Sequence, residues 1–414
     1  MSASRPFCTR RAFLGSFAAA AASVTIVPRH VLGGGGELAP SDTFGGALIG
    51  CGGRGGGTFE GLSSGGVKSS VKKLADCDVR FLDRADNKTI YTDFRRVLER
   101  KDIDLVAIAT PPHWHALISI AAMQAGKDVL CEKPMTRFIA EGKGVIEAER
   151  RYGRIFQIGT YGRLGASHNR DANTTRKIML SGLLKECKGV HIHDGGWKVK
   201  EWSGKVNAPP QPVPRNLDWD MYCGPAPLRP YQGHRVGGTH RGYWDYEGGG
   251  LADMGQHYFE GPNYTFGKDL TSPCEIDSNA APAHPEAVGM WGWVELKFDD
   301  GLTYVFNSRE WGKPYDRLKS RGVSMNDLSP EDQKKVQAMP DPEPLLEFQQ
   351  AVKTRKPSSG SALTAHRTAT LLHLANISIR VGRKIRYDPV KQEVVGDEEA
   401  NRLVNPPMRA PWHL

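Results

Sequence analysis

Phe44-Gly-Gly-Ala-Leu-Ile-Gly-Cys-Gly-Gly-Arg-Gly55 is the stretch whose reading decides the fold. A short apolar run, Ala47 to Ile49, opens directly into Gly50-x-Gly52-x-x-Gly55. A strand, a glycine-rich turn and a helix in that order form a dinucleotide-binding loop. Gly50 permits the tight turn, Gly52 lets the backbone approach a pyrophosphate, and Gly55 lets the helix pack close to the strand. Gly53 and Arg54 complete the loop, and the first helical turn offers free N–H groups to phosphates. Six letters in glycine-rich surroundings also fit a plain flexible loop, so the chain that follows has to decide.

That chain alternates between helix and strand patterns. Residues 58–74 supply a first crossover helix, interrupted by Gly65-Gly66. Leu74-Ala-Asp-Cys-Asp-Val79 reads as the second strand. An acidic side chain at its end accepts hydrogen bonds from ribose hydroxyls. Asp78 is chosen, with Asp76 and Asp83 as alternatives. Asp78 favours NAD, whereas Arg80 and Arg84 leave NADP open. The connection to Thr92-Asp-Phe94 is short, so the second crossover helix is abbreviated. Asp104-Leu-Val-Ala-Ile-Ala109 has the length and composition of a buried parallel strand. It runs into Thr110-Pro-Pro-His-Trp-His115 and a helix to residue 122. Lys127-Asp-Val-Leu-Cys131 ends in Glu132-Lys133-Pro134, and a helix over 140–152 and a strand over 154–159 follow. Ligands bind at the carboxyl ends of such strands. Thr110, Pro111, His113, His115, Glu132 and Lys133 are therefore cofactor-side candidates, and His113, Lys133 and Tyr161 face one crevice. His113 and His115 can equally pack or cap the helix at that turn.

The second half is built differently. A helix over 170–184 precedes Gly189-Val-His-Ile-His193, which alternates like a strand. His191 and His193 share one face, but no third ligand stands at a diagnostic spacing, so no metal is expected. Residues 208–241 are rich in Pro, Gly, Arg and aromatics, and long loops in compact domains tend to be functional. Trp219, Tyr222, Tyr231, His234 and Arg241 suit a sugar site, where rings stack on C–H faces and polar tips bind hydroxyls. Tyr161, Arg163, Trp219, Arg241 and Tyr243 are the substrate-side candidates. Residues 287–310 read as two strands around Asp299-Asp-Gly301. Helices cover 345–355 and 364–382, and a proline-rich tail, 404–414, lies over the surface.

Gly248-Gly249-Gly250 turns into a helix that carries Asp253 and His257 one turn apart. A carboxylate beside an imidazole raises its basicity and orients it, as a general base needs. A hydride leaves a carbinol carbon only when the hydroxyl proton is also removed. His257 is the candidate for that proton. Asp253 orients it or binds a neighbouring hydroxyl, and Lys133 stabilises charge on the reacting oxygen.

The 414 residues suffice for two domains, with 39% apolar and 24% charged residues, an ordinary balance for a globular enzyme. The formal charge of +9 includes Arg5, Arg10, Arg11 and Arg29 of a leader-like segment, and no clustered basic face argues for nucleic acid. Thr9-Arg-Arg-Ala-Phe-Leu14 followed by a small-residue apolar run over 15–27 is a twin-arginine export pattern, too short for a comfortable membrane span. A periplasmic or otherwise exported protein without an integral span after processing is expected. The seven cysteines show no paired spacing, and Cys51, Cys77 and Cys131 read as packing residues.

Gly50-Cys-Gly-Gly-Arg-Gly55, Ala109-Thr-Pro-Pro-His-Trp-His115, Cys131-Glu-Lys-Pro134 and Gly249-Gly-Leu-Ala-Asp-Met-Gly-Gln-His257 together resemble the Gfo/Idh/MocA family of glucose–fructose oxidoreductases and inositol dehydrogenases. The resemblance runs from about Phe44 onward. It implies an α/β fold: an N-terminal Rossmann doubly wound parallel sheet, then an α+β domain with a large, mostly antiparallel sheet. The expected boundaries are 1–40 for leader and linker, 41–160 for the Rossmann domain and 161–414 for the substrate domain. A tightly bound NAD, a carbohydrate substrate and a homo-oligomer through the C-terminal sheet are the corresponding expectations. The family pattern departs at the short second crossover and at Tyr161, where many members carry a smaller or amide residue. Three readings stand: a dehydrogenase of sugars or polyols, a redox-neutral glycosidase that oxidises transiently, and a non-catalytic sugar-binding protein. The Lys133, Asp253 and His257 set favours an enzyme. In an exported enzyme a held nucleotide has to be regenerated in place, and the 208–241 loop is suited to shutting the crevice over it.

Overall fold

Two sheets organise the chain in a computed structural model that describes residues 38–39, 42–184 and 189–414. The twin-arginine pattern, its apolar run, Cys8 and Cys187 lie outside the described residues. Strands β1 (Phe44–Ile49), β2 (Val71–Cys77), β3 (Ile90–Tyr91), β4 (Leu105–Ile108), β5 (Asp128–Cys131) and β6 (Phe156–Ile158) are all parallel, in the order β3-β2-β1-β4-β5-β6. The order reverses between β1 and β4, and a crevice opens there at the carboxyl ends. Leu105, Val106, Ala107 and Ile108 of β4 are completely buried, because helices cover both faces of the sheet. Those helices include α1 (Gly55–Gly61), α2 (Phe94–Leu98), α3 (His115–Gln124) and α4 (Ile139–Tyr152).

The first crossover departs from expectation. α1 ends at Gly61 rather than near residue 74, and β2 begins at Val71. Gly65 takes a left-handed conformation (φ +77°), and the chain at Gly66 passes so close to Gln349 that a Cβ there would lie 1.5 Å from its Oε1. The second crossover carries no helix between Asp78 and β3. The Asp86 carboxylate instead gathers the backbone N–H groups of Lys88, Thr89 and Ile90 and fixes the loop.

The second half contributes α5 (Gly162–Ser167), α6 (Arg170–Ser181), α7 (Trp219–Cys223), α8 (Gly249–Thr265), α9 (Pro330–Ala338), α10 (Phe348–Thr354), α11 (Ala362–Val381) and α12 (Glu398–Val404). Its strands are β7 (Gly189–Asp194), β8 (Glu275–Ala280), β9 (Trp291–Lys297), β10 (Thr303–Asn307), β11 (Ile385–Asp388) and β12 (Glu393–Val394). They form a sheet in the order β12-β11-β8-β9-β10-β7, antiparallel except where β7 joins β10. Val294, Leu296, Tyr304 and Phe306 on the sheet form one core with Leu251 and Phe259 of α8 and Leu371, Leu372 and Leu374 of α11. That core fixes the helix on which Asp253 and His257 stand. Phe44–Leu414 form one compact unit.

Glu141 in α4 is completely buried, and its Oε2 accepts the N–H groups of Arg137 (2.7 Å) and Phe138 (3.4 Å). Burial pushes its pKa from 4.5 up to about 7, against the pull of Arg137. A carboxyl raised on folding stabilises the protein below its unfolded pKa, and that contribution is lost as pH rises through the folded value. The wild type is therefore expected to gain unfolding free energy relative to Glu141→Gln as pH falls from about 8 to about 5. Glu149 and Glu260 are raised to about 7 by burial as well, but they are common to both proteins and cancel. Urea titrations at the two pH values measure the double difference, and a difference independent of pH would refute it.

Candidate active site

The crevice of the first sheet is a cleft of about 640 Å³ lined by residues of both halves. At its floor Gly50 has φ +90°, and a Cβ there would lie 2.4 Å from the backbone of Ala109. A Cβ on Gly53 would meet nothing within 4 Å, and one on Gly52 would meet only Arg80 at 3.8 Å. The loop is thus pressed against β4 on one side and open on the other, where a ligand backbone or phosphate can approach. Thr110, at the end of β4, lines the cleft with a buried hydroxyl that lacks a hydrogen-bond partner. An open glycine cradle and an orphaned hydroxyl at the switch point fit a dinucleotide.

Asp78 closes one end. Its Oδ2 accepts the Cys51 N–H (2.8 Å), and its Oδ1 accepts the N–H of Arg80 (3.0 Å) and Arg80 Nε (2.7 Å). The alternatives are engaged elsewhere or outside the cleft lining: Asp76 pairs with Lys73, and Asp83 is exposed. Arg54 and Glu132 face one another across the loop (3.0 Å), and Thr58 also donates to Glu132 (2.9 Å). These contacts tie the glycine loop to the Glu132-Lys133-Pro134 turn.

The catalytic candidates converge at the other end. Lys133 Nζ donates to Asp253 Oδ1 (2.7 Å) and to the Asp253 carbonyl (2.8 Å). Arg241 Nε donates to the same Oδ1 (2.6 Å). Burial works to raise the Asp253 pKa, but Lys133 and Arg241 hold it below the ordinary carboxylate range. Asp253 is therefore the anchor of two cations. It makes no hydrogen bond to His257, which corrects the expected carboxylate–imidazole pair. His257 lines the cleft and is exposed to it. Burial first, and Lys133 next, push its pKa below the usual imidazole value, so the ring is neutral and able to accept a proton near neutrality.

Several other expected residues stand elsewhere. His113 and His115 are buried and absent from the cleft lining. His113 Nε2 donates to the Tyr222 carbonyl (2.7 Å), and His115 spans the carbonyls of Pro134 and Thr110 (2.7 and 2.8 Å). Both take the packing role, and His115 braces the two loops that carry Thr110 and Lys133. Trp219 is buried against Tyr222 and donates its indole N–H to the Arg229 carbonyl (2.7 Å). Tyr243 is fully buried with its hydroxyl on His234 (2.9 Å). Arg163 is paired with Asp269 and lies against Tyr264. Tyr161 stands beside Gly61 of α1, outside the cleft lining. Of the substrate-side candidates, Arg241 alone lines the cleft. Among the described residues no three His, Cys, Asp or Glu side chains gather as a metal site, and no helix is long and apolar enough to cross a membrane.

Two residues on the cleft escaped the sequence reading. Glu247 is buried directly before the Gly248-Gly249-Gly250 turn, and its Oε2 lies 3.1 Å from His240 Nε2 and 3.8 Å from Arg241 Nε. The signal available was position alone: a carboxylate at the mouth of the turn, and a histidine beside Arg241.

A family profile described as "Oxidoreductase family, NAD-binding Rossmann fold" matches residues 47–160, and one described as "Oxidoreductase family, C-terminal alpha/beta domain" matches residues 168–414. A levoglucosan dehydrogenase of Pseudarthrobacter phenanthrenivorans is 32% identical over 119 residues, 28% of this chain and 28% of the relative. A glycosyl hydrolase family 109 protein of Shewanella baltica is 28% identical over 151 residues, 33% of each chain. These alignments span about a third or less of the relatives' own length. In fold, the chain is similar to the WlbA dehydrogenase of Chromobacterium violaceum, solved with NADH and UDP-GlcNAcA, with a TM-score of 0.53 at 17% identity, covering 84% of this chain and 96% of that one. The first sheet and its glycine cradle are an NAD-binding Rossmann domain. With both profiles matched in order along its length, the chain belongs to the Gfo/Idh/MocA oxidoreductase family.

Proposed function

We propose that the protein oxidises a secondary hydroxyl of a sugar, glycoside or polyol, with His257 as the base and Lys133 as the group that stabilises the reacting oxygen. The observation that carries this reading is the placement of Lys133 Nζ, fixed 2.7 Å from Asp253 Oδ1, on the same cleft as His257 and the glycine cradle. Similarity to a levoglucosan dehydrogenase supports a carbohydrate substrate. When bound, the nicotinamide supplies the hydride acceptor.

The chain's own groups then do the following. Lys133 has three N–H donors. Two are committed to Asp253, which leaves the third for a substrate oxygen. A cation held at that point stabilises negative charge as the hydroxyl proton departs, without reorganising at the moment of reaction. His257 accepts that proton at its unprotonated ring nitrogen. Arg241, stacked over Trp202 (4.8 Å) and held on Asp253, presents its outer edge to the neighbouring hydroxyls.

A redox-neutral glycosidase is the second reading, favoured by the His240–Glu247 pair. Elimination next to a transient ketone needs a proton-transfer group beyond the one that serves oxidation, and this pair stands on the same cleft. The readings separate with p-nitrophenyl α-glycosides. Release of p-nitrophenol without net NADH supports the glycosidase, and accumulating NADH supports the dehydrogenase.

With levoglucosan or any accepted sugar, Lys133→Ala and His257→Ala are each expected to lower turnover at least about a hundredfold, while His257→Ala still binds nucleotide. The acid limb of kcat/KM is expected below the ordinary imidazole range, because burial and Lys133 lower the His257 pKa, and it should vanish in His257→Ala. Near-full turnover in His257→Ala would place the base elsewhere.

For the nucleotide, NAD should bind more tightly than NADP, since Arg80 is already neutralised by Asp78 and the carboxylate repels a 2′-phosphate. Asp78→Ala frees Arg80 and should shift the NAD/NADP preference by about tenfold or more toward NADP. Calorimetry with both nucleotides decides, and an unchanged ratio would count against Asp78 as the selector.

A further inference from the structure

Helices α8 and α11 pack on one face of the second sheet. Side chains alternate along a strand, so Tyr304 and Phe306 in that core send Thr303 and Val305 of β10 to the other face. Trp293 and Glu295 of β9 share this outer face, because Val294 and Leu296 are in the core. An antiparallel sheet can leave such a face to water. Here Val305 is 1% and Trp293 8% exposed, so something covers them.

The cover is the chain's own return from β10. Tyr315 stands edge-on to both Trp293 (5.5 Å between ring centroids) and His191 (5.7 Å). The Arg317 guanidinium lies over the Trp293 ring (4.3 Å) and pairs with Asp277 (2.7 Å) and Glu295 (3.4 Å). The chain then reaches β7, the last strand in the sheet order. His191 Nε2 donates to the Leu318 carbonyl (2.8 Å), His191 N–H to Ser320 Oγ (3.3 Å) and Arg321 N–H to the Gly189 carbonyl (3.0 Å). These bonds occupy polar groups of an edge strand that would otherwise template pairing with another chain. The ion pairs of Arg317 alone count for little, because its side chain is half exposed. The ring contacts and the edge bonds hold the segment down. Charge also fits a cover better than a second copy. Residues 313–321 carry Lys313, Arg317, Lys319 and Arg321 against Asp316, and the face beneath offers Arg317 two carboxylates. In a two-fold pair the same patch meets itself, and those carboxylates would meet like charge.

We propose that residues 315–321 are a built-in cover for this face and its β7 edge, occupying the surface through which the family resemblance implies a homo-oligomer, so that the chain does not pair with a second copy there. The cover is independent of the reaction and of the nucleotide.

The test joins hydrogen exchange to sedimentation, both on the full chain. In wild type, exchange of peptides covering 189–194 and 311–321 is expected to be the same at low and high protein concentration. Arg317→Glu sets a like charge against Asp277 and Glu295 and should lift the cover. Exchange at 311–321 should then rise at least about tenfold, as the cation–π contact and its ion pairs are lost. The mass from sedimentation should rise with concentration above that of wild type, because Trp293 and Val305 are laid bare. Tyr315→Ala should act in the same direction by removing the ring contacts, and Arg317→Lys should stay close to wild type. Arg150→Ala, on α4 and paired with Glu147, should match wild type, and thermal melts confirm that each variant is folded. Protection at either peptide that grows with wild-type concentration, or an Arg317→Glu variant that matches wild type in either measurement, would overturn the cover.

Discussion

The site depends on one contact between the halves of the chain: Lys133 on the turn after β5 and Asp253 on α8. The two side chains are 12% and 7% exposed. An ion pair removed from water to that degree is not stabilising by default, because the desolvation of both charges competes with their attraction. Extra hydrogen bonds tip the balance. Lys133 also reaches the Asp253 carbonyl, and Arg241 donates to the same carboxylate oxygen. Gln256, one turn along α8, accepts the Met135 N–H (2.9 Å) and so holds the next residue but one after the lysine. The Glu132-Lys133-Pro134 turn of the Rossmann half is therefore positioned by a helix of the other half, whose own position is set by the core beneath the second sheet.

Sharing of carboxylates explains why His257 is left available. The charges run in alternation: Lys133, Asp253, Arg241, Glu247, His240. Each carboxylate stands between two basic groups, and none is left over for His257. A carboxylate bound to His257 would raise its affinity for a proton and leave more of it charged at neutrality. Its actual surroundings, partial burial and a nearby ammonium, do the opposite. The expected i,i+4 pairing failed because helical spacing only brings two side chains within reach. The stronger local field of Lys133 and Arg241 took the aspartate.

What the sequence made legible follows the strength of local signals. The β1–glycine loop–α1 unit, the buried β4 and β5 and the turn into α8 depend on glycine conformations and apolar runs that few alternatives can use. Helix α1 was misjudged in length: it ends at Gly61, and the chain beyond it turns through Gly65 (φ +77°) and packs Gly66 against Gln349, a residue far away in sequence. The aromatics of the 208–241 segment were misassigned for a different reason. Trp219 of that segment, and Tyr243 just after it, belong to a small apolar cluster with Leu217, Tyr222 and Tyr246. A proline- and glycine-rich composition identifies a long irregular segment. It does not reveal whether a ring in it faces a ligand or its own neighbours.

That segment nonetheless explains how one chain can cover a nucleotide crevice from end to end. It starts beside Asp78, contributes α7, and then runs past Val236, Gly237 and Gly238 along the cleft to His240, Arg241 and Glu247 at the Lys133–Asp253 end. A long loop spanning two chemically different ends has to be rigid, or its entropy would undo the positions it sets. Rigidity comes from a half-buried charge cluster behind it: Arg229 and Arg235 both pair with Asp245 and Glu286. Arg137, from the turn that follows Lys133, adds a bond to the Asp245 carbonyl (2.7 Å). The loop is thus anchored to the same turn that it helps to cover, so the order of the Lys133–Asp253 end and the order of the nucleotide wall are parts of one packed structure.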